Sequence, residues 1–155
     1  MGIENSAGLG VNNTYGPRET AEGRSGEVKT AGVVKEVQLD FRGDNYSVVS
    51  ATLPKGAKFV EAVAHVEEAF ALGGTTPTIN VGTSGSAGTN YAIELSEAQS
   101  EAAGTVVYNS TGAGTFANAL AAETTLKVEL DGTTPTITDA GKAKIVVRYI
   151  IAIDA

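Results

Sequence analysis

Residues 124–131 alternate with a strict period of two. Thr124, Leu126, Val128 and Leu130 lie on one side, and Thr125, Lys127, Glu129 and Asp131 on the other. Only an extended strand, with one face buried and one wet, turns this pattern into a separation of apolar from polar groups, because successive side chains point to opposite faces. The alternation recurs near the start of the patterned region, where Val33, Val37, Leu39 and Phe41 interleave with Val34, Glu36, Gln38 and Asp40. It returns from Lys142 to Ile153. There Ile145, Val147, Tyr149, Ile151 and Ile153 share a face while Val146 and Ile150 add apolar groups to the other. A strand apolar on both faces is central in a sandwich or partly covered by a partner subunit, and the central position is the simpler reading.

Turn chemistry punctuates the intervening sequence. Nineteen glycines, with many Ser, Thr and Asn residues, suit short strands joined by loops. Arg42-Gly43-Asp44-Asn45 reads as a turn, Tyr46 to Leu53 as a second strand, and Leu53-Pro54-Lys55-Gly56 as another turn. Thr76 to Gly82 is a short strand followed by a loop to Asn90, and Tyr91 to Leu95 is a further strand. Ser96 caps one helical turn reaching Ala102, Thr105 to Tyr108 is extended, and Asn109 to Gly114 is a loop. Lys58 to Leu72 supports two readings. At helical spacing Phe59, Val63, Val66 and Phe70 form a stripe. At period two Lys58, Val60, Ala62, Ala64, Val66, Phe70 and Leu72 share a face that Glu68 spoils. One repeat stands out: Gly74-Thr75-Thr76-Pro77-Thr78-Ile79 recurs as Gly132-Thr133-Thr134-Pro135-Thr136-Ile137, read as two similar turns that follow long strands. About eight strands between Gly-rich turns make an antiparallel sandwich or barrel.

Residues 1–25 lack periodicity and are rich in Gly, Asn, Ser and Thr, so they read as a flexible N-terminal arm preceding a single domain over residues 26–155. A chain of 155 residues with 42% hydrophobic content can build a core without disulfides or a metal. The start has neither the basic residues nor the apolar run of a signal peptide, and no stretch is long and apolar enough to span a membrane. The net charge of −7 is unevenly placed. Residues 1–60 carry seven acidic and seven basic side chains, whereas 61–155 carry eleven and four. With no cluster of Lys and Arg to displace counterions, the chain is not expected to bind nucleic acid.

The search for chemistry returns little. The absence of cysteine removes thiol catalysis and Cys-ligated zinc. His65 is the only histidine and lies among apolar residues, without a recognisable Ser-His-Asp context. Adjacent Glu67 and Glu68 would point to opposite faces of a strand, and Glu94, Glu97 and Glu101 read as a solvated face, so neither set makes the carboxylate pair of a glycosidase. Gly8-Leu9-Gly10 and Gly112-Ala113-Gly114 complete no nucleotide motif. Arg42-Gly43-Asp44 spells the integrin tripeptide, although Gly-Asp-Asn between strands is ordinary hairpin chemistry. The expectation is a protein that is not an enzyme and holds no metal or cofactor.

The run Leu53-Pro54-Lys55-Gly56-Ala57-Lys58-Phe59-Val60-Glu61-Ala62-Val63, continuing through Val66-Glu67-Glu68-Ala69-Phe70, resembles a pattern of tailed-bacteriophage virion proteins. In these an LP-x-G-A turn opens a long strand ending near EAF. Thr78 to Thr83 and the closing Val146-Val147-Arg148-Tyr149-Ile150 are similar to later segments of the same pattern. The resemblance covers residues 33–153 and implies a jelly-roll capsid cement (decoration) protein: an all-β antiparallel sandwich of about eight strands in which Lys58 to Phe70 is a strand. It also implies a place on the outer surface of a virion, synthesis in the bacterial host cytoplasm, and binding to the major capsid protein and to further copies of itself as a trimer or dimer. It brings no catalytic residues. Candidate contacts with shell or sister subunits are Asn12, Tyr15, Arg18 and Arg24 in the arm and Tyr149, Ile151 and Ile153 in the last strand. A head-fibre or tail receptor-binding module of the same kind of virion is the alternative, and a cell-surface or carbohydrate-binding sandwich unrelated to phages a third.

Overall fold

The computed structural model describes residues 34–137 and 140–151. The chain divides between Val33 and Val34 into two units. The described residues of the second form eight strands: β1 (Val34–Arg42), β2 (Ser50–Leu53), β3 (Ala57–Glu68), β4 (Leu72–Thr83), β5 (Tyr91–Ser96), β6 (Val106–Asn109), β7 (Thr124–Ile137) and β8 (Lys142–Ile151). They form two antiparallel four-stranded sheets, ordered β1-β8-β3-β6 and β2-β7-β4-β5. The pairs β1–β8, β2–β7, β3–β6 and β4–β5 are each hydrogen-bonded, so the chain is a folded-back ribbon of paired strands rolled into two sheets. That order is the jelly roll. The expected boundary between residues 25 and 26 lies outside the described residues.

Alternation places the core. Leu39 and Phe41 from β1, Ala62, Ala64 and Val66 from β3, and Ile145 and Val147 from β8 point inward from the first sheet. Ile79, Val81, Ile93, Leu95, Leu126 and Val128 meet them from the second. Two aromatic pairs close opposite ends of the layer. Phe41 stacks on Phe70 with ring centroids 5.7 Å apart, and Phe59 meets Phe116 edge-on at 6.3 Å. The strand β8, apolar on both faces, lies between β1 and β3 in the interior of its sheet.

The ambiguity over Lys58 to Leu72 has a structural cause. The segment up to Glu68 is the strand β3, which ends two residues before the expected Phe70, while Leu72 already opens β4. Within β3 a bulge sits between Phe59 and Glu61, where Val60 is left without a partner on β8. The inward set therefore runs Phe59, Ala62, Ala64, Val66. The step of three across the bulge imitates one step of a helix, and the period of two is interrupted. Tyr46 to Leu53 differs from the sequence expectation. Tyr46–Val48 is a 3₁₀ turn, held by Val48 N donating to Asn45 O at 3.1 Å and Val49 N to Tyr46 O at 3.3 Å, and only Ser50–Leu53 is strand. Three-residue periodicity turns Tyr46 and Val49 together onto the core and leaves Val48 in water. Ser96 does cap a short helix, α1 (Glu97–Ser100), with its own N–H donating to Gln99 Oε1 at 2.9 Å in a capping box.

The repeated hexapeptides are not separate turns. They lie inside β4 and β7 and face each other. Thr75 pairs with Thr133, Gly73 with Thr136, Thr78 with Asp131, Leu72 with Ile137 and Ile79 with Leu130. Exchanging the two strands maps the Thr75–Thr133 pair onto itself and the other pairs onto one another, so a local two-fold axis passes between Thr75 and Thr133. The repeat is in fact eight positions long, Leu72–Ile79 against Leu130–Ile137, and only Gly73 and Asp131 differ. Each copy has a glycine at positive φ (Gly74 at 111°, Gly132 at 124°) and a threonine at φ 47° (Thr76 and Thr134). The Oγ1 of each of these threonines donates to the preceding carbonyl at 2.8 Å. Each strand bulges once, on opposite sides of the axis. The two offsets cancel, so Leu72 and Ile137 keep the inward orientation that a single bulge would reverse.

Candidate functional site

The outer face of the first sheet follows from the register. Row by row from β1 through β8 and β3 to β6, it presents Val34–Ile150–Lys58, then Glu36–Arg148–Glu61, then Gln38–Val146–Val63–Tyr108, then Asp40–Lys144–His65–Val106. The third row is an apolar strip across three strands. Val106 and Tyr108 at its β6 end are among the large hydrophobic side chains most open to water, at 63% and 60% exposure, and Val34 at the opposite corner is 51% exposed.

Ion pairs border the strip on both sides. The Arg148 guanidinium bridges two strands, its Nε 3.2 Å from Glu36 and its Nη1 in a short bond to Glu61. That guanidinium, helped by the Tyr108 hydroxyl, holds the Glu61 carboxyl below its ordinary pKa, and the two glutamates raise that of Arg148. Toward the other end, Lys142 lies 2.8 Å from Glu67 and lowers that carboxyl's pKa, and Arg42 lies 3.7 Å from Glu68. The apolar strip thus runs out to the sheet edge at β6 between two bands of paired charge.

The outer face of the second sheet is different. The 84–90 loop folds back over it, held by Glu129, whose carboxylate accepts from Gly85 N at 3.1 Å and Ala87 N at 3.0 Å. Beneath the loop the buried Asn80 donates to Ala87 O at 3.2 Å and accepts from Thr78 Oγ1 at 3.1 Å. An open hollow of about 390 Å³ beside the loop is lined by Gly88, Thr89, Glu129 and Asp131 among others. A second, of about 430 Å³, lies between Tyr46, Lys127 and Pro135. Among the described residues no group of three or more His, Asp or Glu side chains is placed to hold a metal ion, and no helix is long and apolar enough to cross a membrane.

The residues singled out from sequence fall in three places. Asn12, Tyr15, Arg18, Arg24 and Ile153 lie outside the described residues. Tyr149 is buried and Ile151 half-buried against the core, because odd-numbered positions of β8 point into the sandwich, so the apolar groups this strand offers outside are Val146 and Ile150. Val63 and Tyr108 were not singled out, although the period-two reading of β3, with Ala62 and Ala64 inside, already sends Val63 outward. The Arg42-Gly43-Asp44 tripeptide is a turn in which Asn45 Oδ1 accepts from Arg42 N at 2.8 Å, while the arginine side chain faces Glu68. His65 is exposed on the outer face, opposite Lys144 and Val106.

Fold and surface together define the class: an eight-stranded jelly-roll sandwich whose two outer faces differ in chemistry. No protein-family model and no curated protein matches the chain. Among solved structures it is similar to a chain in the capsid of Ralstonia phage GP4, at 22% identity over 80% of this chain and 88% of that one, with a TM-score of 0.46. It is also similar to a chain in the capsid asymmetric unit of cyanophage Pam1, at 17% identity over 77% and 84%, with a TM-score of 0.48. A chain of the disulfide-linked pili of Bacillus endospore appendages matches at 15% identity over 77% and 88%, with a TM-score of 0.30.

Proposed function

We propose that this chain is a structural virion protein that binds the outside of a tailed-phage capsid and stabilises it by joining neighbouring capsomers. The observation that carries the reading is a conjunction. The Leu53-Pro54-Lys55-Gly56-Ala57 turn and the long strand after it, which resemble the phage pattern, occupy the turn before β3 and β3 itself in a sandwich with jelly-roll strand order. The role needs a rigid scaffold, and a sandwich with a continuous apolar core supplies one. It also needs reach. Residues 1–25 would supply it by ordering against the shell, their entropy loss offset by many small contacts and by repetition over the lattice. The partners are the major capsid protein and further copies of the chain, and the bonds are non-covalent.

Quantitative mass spectrometry of purified particles tests the reading. A copy number equal to that of the major capsid protein, or a simple fraction of it, is the expected result. A few copies per particle would instead make the chain a fibre or tail module, and absence from particles would overturn a virion role. Deleting residues 1–25 should weaken capsid binding and leave the sandwich folded; equal binding by the truncated chain would remove the arm from the mechanism.

A further inference from the structure

The surface charge is unequally divided between the two sides of the sandwich. On the outer face of the first sheet, Glu36, Asp40, Glu61, Glu67 and Glu68 are matched by Arg42, Lys58, Lys142, Lys144 and Arg148. The rest of the described surface carries seven carboxylates, Glu129 and Asp131 among them, against Lys35, Lys55 and Lys127. In a chain of net charge −7, one face is therefore neutral, crossed by ion pairs and by an apolar strip that runs from half-buried Val146 and Val63 to exposed Tyr108 on the edge strand, while the rest of the described surface is acidic.

We propose that this face is where two copies of the chain meet, sheet against sheet, in an isologous dimer. Three observations favour a second copy as the occupant. The first is charge. Two copies of an acidic protein repel each other through any acidic surface, whereas a face of zero net charge approaches its own image without that net repulsion. Arg148 lies between Glu36 and Glu61, and Lys144 beside Asp40, while Arg42 and Lys142 are neighbours next to Glu68, so a partner rotated by two-fold symmetry meets both signs at its rim.

The second is apolar content. Val146, Val63 and Tyr108 make a continuous strip, with Val106 in the next row, and a two-fold contact would bury each strip against the other copy's. The third is size. Three strands of nine, ten and twelve residues and the four-residue β6, at the usual spacing, present a face of roughly 500–600 Å², and with rim side chains this approaches the roughly 800 Å² per partner of a standard interface. The proposal does not depend on a virion role, since it concerns the free chain in solution.

Sedimentation velocity of the full chain over a concentration series tests it, with three variants alongside. Val63→Lys places a charge at the centre of the strip, on a side chain already facing out of the fold, and should weaken association at least about tenfold. Tyr108→Ala removes an anchor from the edge strand and should weaken it in the same direction. Glu94→Lys, on the second sheet, should leave it unchanged. Far-ultraviolet circular dichroism and thermal melting report whether each variant is folded, and if Val63→Lys does not fold, Tyr108→Ala decides. A dimer that dissociates in the first two variants and persists in the third supports the proposal. A wild-type chain monomeric at every concentration overturns it, as does a dimer indifferent to Val63 and Tyr108. A monomer that nevertheless loses particle binding on Val63→Lys would hand the face to the shell instead.

Discussion

Replacing Gly132 or Gly74 by alanine should destabilise the fold by nearly equal amounts, because the two positions are related by the local two-fold axis. At Gly132 an added Cβ would lie 2.8 Å from Thr76 O, 3.0 Å from Thr75 O and 3.1 Å from the Pro77 Cα. At Gly74 it would lie 2.7 Å from Thr134 O, 2.8 Å from Thr133 O and 3.0 Å from the Pro135 Cα. These neighbours are backbone in the paired strand and cannot rotate away. A side chain at positive φ costs about 1–2 kcal/mol, and overpacking adds about 1–3 kcal/mol. Stiffening the unfolded chain by a Gly→Ala change destabilises that state and returns about 0.4–1 kcal/mol. The net loss is about 1–5 kcal/mol at each site, or roughly 4–20 °C in Tm for a domain of this size. Gly104→Ala supplies the control: its φ is 86°, but nothing lies within 4 Å of the added carbon, so only the conformational part remains, about 1 kcal/mol or less. Urea unfolding with an unchanged m-value is the assay. The reasoning is refuted if Gly132→Ala and Gly74→Ala differ widely, or if neither exceeds Gly104→Ala.

Three further outcomes follow from the core and the two faces. Ile145→Ala, which empties a fully buried site on the central strand β8, should lose about 2–5 kcal/mol in the same unfolding assay. Glu61 and Glu67 have lowered pKa values in the folded chain, so their contribution to stability is complete above the ordinary glutamate range and disappears as pH falls through the folded values. The urea midpoint should therefore drop on acidification, and Arg148→Met should reduce the part of that drop due to Glu61; an unchanged pH profile in the variant would contradict this. Glu129→Ala removes the acceptor that pins the 84–90 loop, and amide exchange at Gly85 and Ala87 should accelerate about tenfold to a hundredfold while core strands stay protected.

Strands such as β7 and β8 were legible in the sequence because a half-buried strand writes its environment into a period of two, residue by residue. The same holds for the capped turn at Ser96, whose partner Gln99 is three residues away. What resisted reading involved partners remote in sequence. The bulge at Val60 breaks the alternation of β3, and only pairing with β8 identifies it as a bulge and not as a turn of helix. The duplicated threonine-proline segments are visible as a repeat, yet nothing local says that they face each other across a two-fold axis with compensating bulges. The surface strip has the same origin. Val146 and Ile150 were readable as outward apolar groups, but Val63 and Tyr108 join them only through the registers β8–β3 and β3–β6. Local patterning determined that this chain makes a two-faced β-structure with its apolar groups inside. Strand order, register and the chemistry of each outer face were decided by the tertiary structure, because they depend on which distant strands pair, and side-chain period is indifferent to that choice.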